Sequence, residues 1–578
     1  MSSPALLVCA GGPLLLAGCL LLPPLRGMAR LLAPWAALPA LLAVPLSMPG
    51  LDAGWFLLGA QLGVDHIARV MLPVTAGLWL AAGLFASRHL PRDRRGDRFY
   101  GWFLAVMSGN LLLLVALDVA TFYVGFALMS VASYGLVVHE DNARARHAGR
   151  YYMVMVVIGE ICVISALMLL VDRAELDFAS IRAVFLERGA GNNDLVIGLL
   201  LAGFGIKAGV FGLHFWLPLA HPVAPAPASA VLSGAMIKAG LVAWLRLLPI
   251  GEMALPGWGV ALAVLGLFTA SYAVVVGLPQ REAKTVLAYS SVSQMGLMSM
   301  VVGLGLAFPG HWGALYTALL LYMAHHGLAK GALFLGAGLV QHRLGLVAAR
   351  LTALALVFLS LGIAGGPWTS GLLAKTALKQ ATTALPGPWN TLLPPLLNAC
   401  CVLTALLLLR FLWLAWPRAS ARPEAGGAML LAPWLLLIVG WIAGPALLAD
   451  VQLWHKAMGL AYARDAALLV ALAGLLAVAA AWLRHRHRAP GWPAVPPGDL
   501  GIPLERLGAA GLHWLAVFCA LRLPREVRRL RGFGVAMADR RAGLAILAGA
   551  AETRIAAWSV TGLLVMLMAG ATAWLLGG

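Results

Sequence analysis

Apolar runs of about 20 residues, the length a helix needs to cross the hydrocarbon core of a bilayer, recur along nearly the whole chain. Short polar, basic or proline-containing stretches separate them. Taken in turn, the runs predict helices over 4–22, 28–48, 66–87, 98–118, 119–139, 150–171, 195–219, 228–248, 257–278, 284–306, 312–340, 351–383, 390–415, 427–449, 464–483 and 557–577. That pattern describes an all-α polytopic membrane protein of about sixteen spans. The first run lacks a basic leader and a small-residue cleavage site, so it reads as a span, not a removed signal. Two runs are interrupted. The seventh contains Gly209 and Gly212 and ends in Trp216-Leu217-Pro218, and the twelfth contains Gly365-Gly366-Pro367. A helix broken at membrane depth is tolerated only where protein or a water-filled cavity satisfies the freed backbone.

The connections give the orientation. Those after odd-numbered runs carry the arginines, among them Arg26 and Arg30, Arg88 to Arg98, and Arg144 to Arg150. The segment 172–194, after the sixth, is mostly acidic. The odd-side connections are therefore expected to be cytoplasmic and both termini to face outward. Three helices fill 1–97. Five occupy 98–248 and five occupy 257–415. An odd number of helices per unit makes the second unit inverted relative to the first, and each unit contains one broken run with a lysine beside the break. Additional spans fill 427–483. Over 485–556, arginine alternates with leucine, valine and alanine at helical spacing, which predicts an amphipathic segment on the cytoplasmic surface. A last span closes the chain at 557–578.

Composition narrows the function. Hydrophobic residues make up 61% of the chain and charged residues 11%, against about 25% charged in an ordinary soluble protein. The net charge of +18 sits in loop arginines, with no basic stripe interleaved with aromatics, so nucleic acid is not an expected partner. The six cysteines, Cys9, Cys19, Cys162, Cys400, Cys401 and Cys519, form no CxxC spacing, and no metal or cofactor is expected. Nucleotide-binding loops, HExxH and nucleophile elbows are missing from the sequence. Whatever drives the protein must come from a gradient or from a partner.

Ionisable residues inside the runs are few: Glu160, Lys207, Lys238, His325, His326, Lys330 and Lys375. Charge at bilayer depth is costly and marks function. Lys207 lies about 18 Å into its run and Lys238 about 15 Å into the next, both near the midplane. His326 and Lys330 share a helix face, being four residues apart. Lysines made switchable by burial, joined by histidines, can pass a proton stepwise. Arg246 and Arg410, near span ends, read as interfacial anchors.

The stretch from Lys207 to Gly240, with Trp216-Leu217-Pro218, His221-Pro222 and Met236-Ile237-Lys238-Ala239-Gly240, resembles the signature of antiporter-like proton-translocating membrane subunits. These occur in complex I, Mrp-type antiporters and hydrogenase complexes, and the wording is most similar to the hydrogenase-4 and formate hydrogenlyase branch. The stretches Lys284 to Gly296, His326 to Lys330 and Gly371 to Lys375 resemble further motifs of that family. The resemblance implies two inverted five-helix repeats, each supplying half a channel. It also implies a relay of Lys207, Lys238, His326, Lys330 and Lys375, with His325 and His214 as secondary candidates. The implied partners are other subunits of a multi-subunit membrane complex, and the implied cargo is protons or sodium ions. One position departs. The family places a glutamate on the fifth helix, where this chain has Ala127 within Phe126-Ala127-Leu128-Met129-Ser130. Glu160, at a similar depth on the sixth helix, is the expected substitute partner of Lys207. Three functions remain open on the sequence: an ion path in a redox complex, a subunit of a gradient-driven antiporter, or a scaffold whose relay has decayed.

Overall fold

The computed structural model describes residues 5–486 and 495–498, apart from 55–58, 91–92, 94, 172–175 and 425–426. One compact unit runs to Pro497, and a second begins at Gly498, beyond which the chain lies outside the described residues. The last expected span, 557–577, and all but the first residues of the amphipathic segment expected at 485–556 also lie outside them.

The chain starts with α1 (Ala5–Cys19), α2 (Arg26–Leu32) and α3 (Leu38–Ala43). Here the expectation of two complete crossings needs correction: the segments form one pair bent by 116°. Pro23, Pro24, Pro34 and Pro39 break the second into short turns, because proline lacks the N–H that continues a helix. A two-stranded hairpin follows, β1 (Leu51–Ala53) with β2 (Ala60–Leu62), antiparallel with Asp52 opposite Gln61.

Then come α4 (His66–His89), α5 (Gly96–Val115), α6 (Val119–Val137) and α7 (Ala143–Val171). Asp65 and Asp118 cap α4 and α6, each carboxylate accepting a backbone N–H at 2.7 Å. The acidic connection contains an unforeseen helix, α8 (Phe178–Arg188), capped by Asp177. The seventh run is broken into α9 (Asp194–Ala208) and α10 (Trp216–Val223). The eighth is α11 (Ala226–Val231) and α12 (Lys238–Leu247), joined by a π-helical turn at Leu232–Met236. After α13 (Pro256–Gly277), α14 (Ala283–Ala307) and α15 (Trp312–Leu339), the twelfth run is broken into α16 (Leu346–Ala364) and α17 (Ser370–Thr383). The described helices end with α18 (Trp389–Leu414), α19 (Leu431–Leu448), α20 (Val451–Met458) and α21 (Leu460–Arg486).

Among the described residues twelve helical segments are long and apolar enough to span a bilayer, or thirteen if the bent pair counts as one. The sixteen expected are not reached. Neither half of the seventh run is long enough alone, the first two runs merge into the bent pair, and the last lies outside the described residues. The apolar spanning stretches of α14 and α15 are buried throughout and form the centre. Helices α7 and α21 lie at the rim with Val154, Ile161, Met168, Leu468, Leu475 and Val478 exposed, as lipid-facing side chains would be.

Packing at the centre depends on missing side chains. A Cβ at Gly266 would stand 2.5 Å from the carbonyl oxygen of Gly296, and one at Gly296 would stand 2.6 Å from that of Gly266. Helices α13 and α14 therefore touch backbone to backbone, the close approach that small residues permit in membranes. Helices α5 and α6 meet in the same way at Gly109 and Gly125.

On the arginine-rich face, His139 and Asp93 pair at 2.5 Å between Nε2 and Oδ2. Burial pushes the His139 imidazole below its usual range and outweighs the attraction of Asp93. Burial alone would raise Asp93, but the Arg95 N–H and His139 hold its carboxyl below the carboxylate range. Both folded-state values are depressed, so both groups contribute stability that is present above their unfolded values and lost on acidification. The thermal midpoint of the purified protein is expected to fall as pH drops from about 6.5 toward about 4. His139→Gln should flatten the upper part of that profile, and an unchanged profile would refute the assignment.

Candidate functional site

Lys207 occupies the last turn of α9, just before Gly209 turns left-handed at φ 74° and ends the helix. The Trp216 indole N–H donates to the Ile206 carbonyl at 2.8 Å, beside the Gly209 N–H, which satisfies the broken end. The Lys207 ammonium donates to Tyr152 Oη at 3.3 Å and lies 5.5–5.8 Å from the ring centres of Phe126, Tyr152 and Trp216. Tyr152 in turn donates to the Ser130 carbonyl at 2.6 Å. Glu160 of α7 lines the same small cavity. Both its carboxylate oxygens are buried without a well-formed hydrogen bond, and Tyr123 is the neighbouring hydroxyl. The cavity leaves about 10 Å³ for the centre of a water molecule, enough for one bridging water. Sequence depth had paired Glu160 with Lys207. The structure puts them on one cavity but not in contact.

Lys238 follows the π turn directly. Its ammonium donates to the Ser233 carbonyl at 2.6 Å, within the turn, and Ser233 Oγ is 2.7 Å from Ser291 Oγ of α14. Gly234 lies so close to α15 that a Cβ there would stand 2.7 Å from the Gly327 carbonyl. The turn thereby brings Lys238 against the helix that carries His325, His326 and Lys330. π turns recur at functional sites because they re-aim carbonyls. His326 and Lys330 are fully buried, and neither ring nitrogen of His326 has a partner. Lys330 donates to the Leu287 carbonyl at 3.1 Å.

From α15 the polar groups continue into the second broken helix. His325 Nδ1 accepts from the Trp441 indole at 3.0 Å and is 2.9 Å from Ser370 Oγ. Since an indole N–H only donates, Nδ1 carries no proton in this state. Ser370 starts α17, capped by Thr369. Gly365 ends α16 at φ 82°, and Lys375 reaches back across the break to the Ala364 carbonyl at 2.9 Å. A Cβ at Gly365 would press on the Lys375 stem at 2.7 Å.

The structure thus strings Lys238, His326, Lys330, His325 and Lys375 along α12, α15 and α17, with Lys207 and Glu160 in a cavity of their own. His214 lies among Phe211, Phe215 and Tyr272 in the α9–α10 break, not on this string. Arg246 is not an interfacial anchor: it is 3% exposed, pairs with Asp65 at 2.9 Å and donates to the Leu113 and Leu114 carbonyls. Residue-level reading missed Tyr152 and Trp216, which look like ordinary apolar aromatics, and His221, which sits inside the recognised stretch. It also took Lys284 as the start of the tenth run and of a recognised motif, whereas the structure seats its ammonium 2.6 Å from the Ala224 carbonyl.

The chain as a whole is similar to known proteins. Residues 116–394 match the family described as NADH:quinone oxidoreductase/Mrp antiporter, TM. The chain is 30% identical over 386 residues to the NADH-quinone oxidoreductase subunit N of Desulforudis audaxviator, covering 64% of this chain and 75% of that one. The chain belongs to this family. Within the NADH:quinone oxidoreductase/Mrp antiporter family it is also similar to hydrogenase-4 component B of Escherichia coli (strain K12), 28% identical over 483 residues, 77% of this chain and 66% of that one. The next curated relatives are matched over about half, 55%, of their own length. A chain in the structure of the Mrp complex from Dietzia sp. DQ12-45-1b superposes with TM-score 0.71 and 23% identity, covering 94% of this chain and 62% of that one. That likeness establishes the shared fold.

Proposed function

We propose that this chain is the ion-translocating antiporter-like subunit of a membrane-bound respiratory or hydrogenase-type complex. It moves protons through Lys207, Lys238, His326, Lys330, His325 and Lys375, with no redox step of its own. One observation carries the reading: buried lysines on three elements that are not neighbours in the chain, α12, α15 and α17, are joined by the buried histidines of α15 and by Ser370 at the start of α17. A lone buried lysine is a structural accident more often than a path, but a continuous string is costly to keep without use.

The two halves, 98–248 and 257–415, are inverted repeats in this proposal. Each opens with a pair of helices in glycine contact, α5–α6 and α13–α14, and each contains a helix broken at a left-handed glycine. The arginine-rich face is cytoplasmic, and both termini face outward. The partners are the remaining subunits of the complex. The alternative, a subunit of a gradient-driven sodium/proton antiporter, is separated by what co-purifies with the chain.

Glu160 takes the role of the carboxylate that Ala127 lacks. Phe126 packs against Lys207, so residue 127 is one position round the helix from the lysine. Glu160 reaches the same cavity from α7, and one water closes the gap. The test is proton flux in proteoliposomes holding the purified complex. The parent should transport, Glu160→Gln should slow transport about tenfold or more, and Ala127→Glu should restore part of the loss in a Glu160→Ala background. Absence of flux in the parent would sink the translocation reading. Full flux in Glu160→Gln would sink only the carboxylate assignment.

A further inference from the structure

The relay needs a way in from the aqueous face, and none of its members reaches one. At the arginine-rich end of the bundle, α4, α11 and α15 converge: a Cβ at Gly338 would touch Ala226 at 2.3 Å and Phe85 at 3.7 Å. Two histidines end these helices. His342, just past α15, uses both ring nitrogens. Its Nδ1 is 3.0 Å from Glu424 Oε2, and its Nε2 is 2.8 Å from Nδ1 of His89, the last residue of α4. Glu424 is 39% exposed at the surface, His342 is 20% exposed, and Arg343 also holds Glu424 at 3.2 Å. Exposure thus declines inward along Glu424 and His342. The shared His342 ring makes this a chain and not a metal site, because ligands to one ion would converge on a point and leave the far nitrogens free.

Beyond His89 stands Lys284, within electrostatic reach of both His89 and His221. Its ammonium rests on the Ala224 carbonyl, three residues from His221. The His221 ring is fully buried and stacked on Phe334 at 4.5 Å, and neither of its nitrogens has a partner. It is in electrostatic reach of Lys238 and Lys330 as well. Two unpartnered nitrogens on a buried imidazole are a standing cost unless something visits them.

We propose that Glu424, His342, His89, Lys284 and His221 form a proton-uptake wire that loads the Lys238–Lys330 pair from the arginine-rich face. This rests on the relay reading above. A proton from water, gathered at Glu424, leaves its carboxyl oxygen and forms an N–H bond at His342 Nδ1 when that ring carries its hydrogen at Nε2. The His342 Nε2–H bond then breaks as an N–H bond forms at His89 Nδ1. His89, now charged, releases its Nε2 proton inward to a water beside Lys284. That water delivers a proton to His221, whose other nitrogen passes one on toward Lys330. Each imidazole gains one proton and loses one, so tautomer exchange resets the wire with no net change. Hydrogen bonds to His342 and Arg343 hold the Glu424 carboxyl below its usual range, which keeps it charged as the collecting group.

The test uses the assembled complex in proteoliposomes, with a pH-sensitive dye reporting proton uptake. His342→Gln and His89→Gln each retain a polar side chain of similar reach but cannot relay. Each is expected to slow uptake about tenfold, with assembly unchanged, and millimolar imidazole should restore much of the rate. A structural role would not respond to imidazole. Lys330→Met serves as the control for the relay itself. If Lys330→Met blocks uptake while the His89→Gln/His342→Gln double variant runs at the parent rate, the wire is overturned and the relay stands. If the double variant is slow and imidazole does not help, the wire is likewise overturned. If Lys330→Met runs at the parent rate, the relay reading falls first.

Discussion

Lys207→Met and Lys375→Met are each expected to reduce ion translocation by about a hundredfold or more while leaving the protein folded. Methionine keeps the length and volume of the lysine stem and removes the ammonium. Folding should survive because burying an ammonium is itself costly, and replacing a buried charge by an apolar group of like shape is often neutral. The local losses are small. Lys207→Met gives up one hydrogen bond to Tyr152 and the attraction of three rings. Lys375→Met leaves the Ala364 carbonyl without its side-chain donor, a cost of about 1–3 kcal/mol if nothing replaces it. Transport has no such substitute, because methionine cannot hold a proton. Flux in proteoliposomes, with size-exclusion chromatography to verify assembly, decides the matter. Parent-like flux in both variants would remove these lysines from the path.

The largest stability effect is expected at the α13–α14 crossing. Gly296→Leu puts a Cβ 2.6 Å from the Gly266 carbonyl and 2.7 Å from the Ala270 nitrogen, both backbone atoms that cannot rotate away. The helices must separate, and with them the site, since α14 supplies the Leu287 carbonyl to Lys330 and the Ser291 hydroxyl to Ser233. A loss of about 3 kcal/mol or more is expected, visible as a lowered thermal midpoint in detergent. Gly257→Leu, on the same α13 but with open space around it, should change the midpoint little. Equal effects from both would show that helix propensity, not the crossing, is responsible.

The spans were legible because a bilayer enforces one simple rule: about 20 apolar residues per crossing. That rule placed α4 to α6 and α13 to α15 within a few residues, and missed the first seven residues of α7, whose arginines and histidine lie outside the apolar run. It failed where proline density cut a run into turns, as at 28–48, and where amphipathic helix α8 and hairpin β1–β2 lie outside the apolar pattern. The site was legible by cost. Lysine and histidine at depth stand out against apolar neighbours, so Lys207, Lys238, His326, Lys330 and Lys375 could be named from the sequence. What the pattern could not reveal is who meets whom. Nothing in a linear reading joins Glu424 to His342 and His89, since residues 82 and 253 positions apart meet only through the packing of α4 on α15. Depth on the helices suggested pairing Glu160 with Lys207, and the two side chains line one cavity without an ion pair between them. Tyr152 escaped because nothing in the sequence sets it apart from the other aromatics of an apolar run.

The acceptors of the buried ammonium groups have a consequence for how this protein tolerates change. Lys238, Lys284, Lys330 and Lys375 each rest on a main-chain carbonyl, and for Lys375 that carbonyl belongs to the end of a half-helix, where the backbone dipoles sum to a partial negative charge. A side-chain counter-ion can vanish with a single nucleotide change, but a carbonyl belongs to every residue that could stand in its place. The countercharge is thereby written into the path of the chain and inherited with the architecture. Lys207, which donates to the Tyr152 hydroxyl and not to a carbonyl, is the one lysine of the path whose acceptor a single substitution could remove.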